Sequence, residues 1–73
     1  MHIGELILKN LKEKERSIAW LARQINCNDA NLGRLLKNNQ YLYTELLLRI
    51  SIVLEEDFFL HYSEIVKKKI MEL

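Results

Sequence analysis

Asp29, Arg34 and Lys37 stand in a short segment, DANLGRLLK, whose leucines recur at Leu32, Leu35 and Leu36. On a helix the leucines share one side, and Asp29, Ala30, Gly33, Arg34 and Lys37 face the other. Arginine and lysine donate to the acceptor edge of guanine in the major groove, and an acidic side chain accepts from cytosine. The chemistry these types support is recognition of base edges rather than bond-making. Arg34 suits a bidentate contact to guanine. Asp29 either accepts from a cytosine or caps its helix. Ala30 and Gly33 have no hydrogen-bonding side chain. Either they let the helix sit close to the groove, or Gly33 simply weakens an exposed helix by about 1 kcal/mol relative to alanine.

The elements that must hold this segment lie in SIAWLARQINCNDANLGRLLK, Ser17 to Lys37. Ile18, Leu21, Ala22 and Ile25 make the i, i+3, i+4, i+7 stripe of one buried helix face. Ser17 is its N-cap by type, and Asn28 or Asp29 caps the helix that follows. Between them lies Asn26-Cys27-Asn28-Asp29. Two short helices joined by so tight a turn must cross steeply, which is helix-turn-helix geometry over about residues 17–38. In DNA-binding examples the second helix lies in the major groove. Sequence-specific DNA binding is therefore the leading expectation.

No strand pattern, proline or repeat interrupts the remainder. A first helix is expected over about Ile3–Lys14, with Ile3, Leu6, Ile7 and Leu11 buried. Thr44 is the expected N-cap of a fourth helix, TELLLRISIVL, apolar on nearly every side and hence central. Asp57 is placed to cap a fifth helix from Phe58 onward, about 58–73, burying Phe58, Phe59, Tyr62, Ile65 and Val66. The expected core includes Ile7, Leu11, Leu21, Ala22, Ile25, Leu32, Leu35, Leu47, Ile50 and Leu54. The fold class is all-α: a compact five-helix bundle containing a helix-turn-helix, one domain over 1–73.

Five helices in this order, with LARQINCNDANLGRLL followed by TELLLRISIVL, resemble the phage-repressor and Cro-like (XRE-type) DNA-binding family, whose fold is lambda-repressor-like. The resemblance covers roughly Ile3 to Val66. It implies a transcriptional regulator in which Asn28, Asp29, Ala30, Gly33 and Arg34 point to bases. It places phosphate contacts at the start of the second helix and in the loop after the third: Arg16, Ser17, Lys37, Asn38, Asn39 and Tyr41, with Asn31 near the backbone. The turn position that is often glycine in the family is Asn26 here, and asparagine tolerates positive φ. The recognition face is sparse, with one arginine and one lysine.

A sparse face argues for two copies, since one offers too few contacts to stand out against genomic competitors. A homodimer on a two-fold symmetric site would set the two recognition helices about 34 Å apart. Phe59, Tyr62, Val66 and Leu73 fall near heptad spacing on the fifth helix and are the candidate interface, although Lys69 interrupts the seam.

Size and composition narrow the alternatives. A 73-residue domain buries only about 60% of its unfolded surface and needs many apolar side chains; this chain has 14 Leu and 8 Ile. One cysteine excludes an internal disulfide, and Cys27, His2 and His61 are too few and scattered for a zinc site. Cys27 reads as a half-buried turn residue, and Trp20 as packing on the first helix or the Tyr41 loop. No cofactor, metal or small-molecule ligand is expected. No apolar run approaches the roughly 18 residues of a membrane span, and no signal peptide is evident, so a cytoplasmic protein is expected. Net charge is +1, but seven basic and three acidic residues lie in Lys9–Tyr43, against one basic and five acidic in Thr44–Glu64. The chain thus has a basic stretch, an acidic stretch and a Lys67-Lys68-Lys69 tail. With no nucleophile–base pair and no phosphate loop, an enzyme is not expected. The competing class is a protein-interaction or antitoxin-like module on the same helical fold, which the low net charge and acidic side favour.

Overall fold

A computed structural model describes residues 2–38 and 41–73. Its described residues form five helices and no strand: α1 Ile3–Glu13, α2 Ile18–Gln24, α3 Asp29–Lys37, α4 Thr44–Leu54 and α5 Phe59–Met71. Each break has a local cause. Ser17 Oγ accepts from Trp20 N at 3.0 Å, and Asn28 Oδ1 accepts from Asn31 N at 3.0 Å. Each satisfies an amide that a helix start leaves without a partner. Asn26 has φ 54°, the left-handed conformation its type allows. Glu15 and Glu55 take the same conformation, φ 55° and 53°, where α1 and α4 end.

α1 packs on α3, α3 on α2, and α2 on α4. Ile7, Leu21, Leu32, Ile50 and Leu54 are fully enclosed between them. The closest approach is at Gly4, where an added Cβ would lie 2.3 Å from the Leu36 carbonyl oxygen. Only glycine lets α1 lie this near the α3 backbone. Lys14 Nζ donates to the Leu54 carbonyl, joining the end of α1 to the end of α4. A cation there also meets the negative end of the α4 dipole.

Several expectations are corrected. Leu35 is only half-buried and Leu46 joins the core, while Ile3 and Phe58 are buried as expected and Leu36 is buried with Leu32 on the leucine side of α3. Thr44 is the first residue of α4, and Tyr43 holds the cap position with no side-chain bond. α1 stops at Glu13, with Lys14 as its C-cap. α4 is not covered on all sides: Leu48 and Ile52 are exposed, Ile52 by 67%. Asp57 does cap α5, its Oδ1 accepting from Phe59 N and Leu60 N, but the regular helix begins at Phe59 and ends at Met71. Its expected buried face is also revised. Phe58 is enclosed and Phe59 half-buried, but Tyr62, Ile65 and Val66 are exposed because α5 leaves the bundle after its first turn. Trp20 packs on the core edge with the Arg16 guanidinium 4.8 Å from its ring centroid, and Tyr41 is 98% exposed.

Candidate nucleic-acid interface

α3 is amphipathic as its leucines require. Leu32 and Leu36 are buried, while Asp29, Ala30, Arg34 and Lys37 are exposed and Gly33 is half-exposed. An open concavity of about 390 Å³ runs between the first turn of α2 and this outer face. Ile18 and Ala19 of α2 line one side. Asp29, Ala30, Gly33 and Arg34 line the other, continued by Lys37 and Asn38 at the end of α3. An added Cβ on Gly33 meets nothing within 4 Å, so the protein itself leaves this strip of backbone open.

Four of the five expected base readers, Asp29, Ala30, Gly33 and Arg34, are brought together here. The fifth, Asn28, is not in the concavity; its carboxamide oxygen is held by the Asn31 amide as the α3 cap. Asp29 is thereby released from capping and stands in the first turn, where a carboxylate suits the helix dipole. Asn31 also lies outside the concavity, and its Oδ1 accepts from an Arg34 terminal nitrogen one turn on. Such an i, i+3 bond restricts the rotamers of a long side chain and pre-orients its remaining donors.

The expected phosphate contacts divide. Lys37 and Asn38 are exposed at the end of α3 beside the strip formed by Asp29, Ala30, Gly33 and Arg34. Ser17 is exposed, but its hydroxyl oxygen already caps α2. Arg16 lies over the Trp20 ring. Stacking uses the guanidinium face and leaves its N–H edge for an anion. Tyr41 projects into solvent at the start of the segment leading to α4. Asn39 lies outside the described residues. Ile18 and Ala19 were not legible as site residues. Their place in the concavity follows from how α2 crosses α3, which no local pattern records.

Among the described residues, no group of three or more His, Cys, Asp or Glu side chains could hold a metal ion. No described helix is long and apolar enough to cross a membrane. Comparison with protein-family models, with curated proteins and with solved structures found no match.

Proposed function

We propose that this chain is a sequence-specific DNA-binding transcriptional regulator in which α2 and α3 act as a helix-turn-helix of lambda-repressor type. α3 enters the major groove. The observation that carries this reading is the open strip on α3, with side chains of little bulk at Ala30 and Gly33 between Arg34 and Asp29. Small residues let a helix backbone approach the base edges, and a tethered arginine beside them supplies the directional donors. Lys37, Asn38, Arg16 and Tyr41 flank the strip as phosphate contacts, which set register and much of the affinity. Two copies act on a two-fold symmetric site, because so sparse a face gives a single copy little discrimination.

In-vitro selection from a random duplex pool tests this reading. An enriched palindrome with half-sites about 34 Å apart is expected. Enrichment of no sequence, with binding equal on all duplexes, overturns it. The exposed Leu48, Ile52, Val66 and Ile70 favour a second reading, a protein-interaction or antitoxin-like module. That reading takes precedence if selection fails.

A further inference from the structure

We propose that the concavity between α2 and α3 reads a 5-methylcytosine followed by a guanine, so that methylation of its site strengthens binding. This rests on the DNA-binding reading above and adds the base that the site selects. An apolar hollow, an exposed acceptor and a tethered donor carry it, each placed in the same concavity.

The hollow comes from two helices. Ile18 and Ala19 of α2 stand across from Ala30 and the open Gly33 strip of α3, and the lining is mostly apolar. Ile18 and Ala19 are only half-buried, so apolar surface is left uncovered on the face turned to DNA. A phosphate oxygen gains nothing from such a surface. A methyl group in the major groove does, because both surfaces leave water together.

The acceptor is Asp29. Asn28 caps α3, so the Asp29 carboxylate stands exposed at the rim of the hollow. An ionised carboxylate accepts hydrogen bonds and donates none. It matches the N4 amino group of cytosine and repels the O4 of thymine. In the pyrimidine ring C5 adjoins C4, so a methyl group on C5 lies beside that amino group. A carboxylate next to an apolar hollow is therefore the complement of a 5-methylcytosine edge. Plain cytosine satisfies the carboxylate and leaves the hollow unfilled. Thymine fills the hollow but sets one acceptor against another.

The donor is Arg34, one turn along α3 from Ala30 and within reach of the adjoining base pair. Asn31 Oδ1 accepts from one of its terminal nitrogens, and the remaining donors suit O6 and N7 of a guanine.

A duplex selected from a random pool, with each cytosine replaced in turn by 5-methylcytosine or by thymine, tests this. At the cytosine adjoining the guanine that Arg34 reads, methylation should tighten binding about fourfold, the gain from burying one methyl group. Thymine there should weaken it about tenfold. Ile18→Ser should bring the affinity ratio of methylated to plain duplex close to one. Asp29→Asn should lift the discrimination against thymine, since a carboxamide donates as well as accepts. Circular dichroism checks that both variants are folded. A selected duplex that binds no more tightly with 5-methylcytosine at any position overturns the proposal and leaves the DNA-binding reading standing. So does a selected site without cytosine, thymine preferred over 5-methylcytosine, or a methyl gain that survives Ile18→Ser. Equal binding to every duplex defeats the DNA-binding reading, and this proposal falls with it.

Discussion

Two glycines show how one residue type serves opposite ends. Gly4 sits where a Cβ would strike the Leu36 backbone, so Gly4→Ala must push α1 off α3. A loss of about 1–3 kcal/mol is expected, read from urea denaturation. Gly33 meets open space, so Gly33→Ala should stabilise the free protein by about 1 kcal/mol. If α3 sits close in the major groove, the same variant binds a selected site more weakly despite being more stable. Higher stability with unchanged affinity would mean that Gly33 has no part in recognition. On the proposed DNA-binding reading, Arg34 and Lys37 differ in the kind of contact they would make. Arg34→Ala should cost about 1–3 kcal/mol at one base position and relax specificity there. Lys37→Ala should weaken all duplexes alike and reduce the salt slope by about one. Binding assays against a site panel at two salt concentrations distinguish them. Asn31→Ala leaves Arg34 untethered and should reduce discrimination less than Arg34→Ala does.

At the scale of elements, three side-chain caps mark where helices begin: Ser17, Asn28 and Asp57. Asn28→Ala should cost about 1 kcal/mol, since it frees the Asn31 amide in the first turn of α3. Asp57→Ala removes the acceptor for two amides of a helix that buries none of its own residues. Circular dichroism should therefore show α5 fraying with the melting of the bundle little changed. Equal loss of helix and of global stability would mean that α5 is integral to the core. α4 shows why strong apolarity does not prove burial on all sides. Leu46, Leu47, Ile50 and Leu54 face the core, but Leu48 and Ile52 are exposed. Asn26 was legible as a turn residue because its side chain tolerates φ > 0. The left-handed conformation of Glu15 and Glu55 was not legible, because glutamate carries no such preference and takes it only where α1 and α4 stop.

For the whole molecule, one core serves four helices. Leu21 and Leu47 lie in it from different elements, so Leu21→Ala or Leu47→Ala should each cost about 2–5 kcal/mol. That is a large share of the total for so small a domain, and thermal melting should show a partly unfolded chain near 37 °C. The radius of gyration is 12.9 Å, above the roughly 11 Å of an evenly packed chain of this length. The long dimension of 42 Å against 21 and 20 Å agrees with an α5 that leaves the bundle.

Helical class, the number of helices and most of their limits are local properties. Apolar spacing and cap chemistry act within a few residues, so periodicity at Ile18–Ile25 and caps at Ser17, Asn28 and Asp57 could be read directly. Most of the core was legible for the same reason. Tertiary structure alone decided what depends on distant segments. Gly4 matters because Leu36 is there, and Lys14 finds the Leu54 carbonyl forty residues away. Ile18 and Ala19 join the face of α3 only through the crossing of two helices. Tyr62 and Val66 have the pattern of a buried face, but an amphipathic stripe records only that a surface needs covering. Whether the chain itself supplies the cover is set by where α5 points once Phe58 has been drawn into the core.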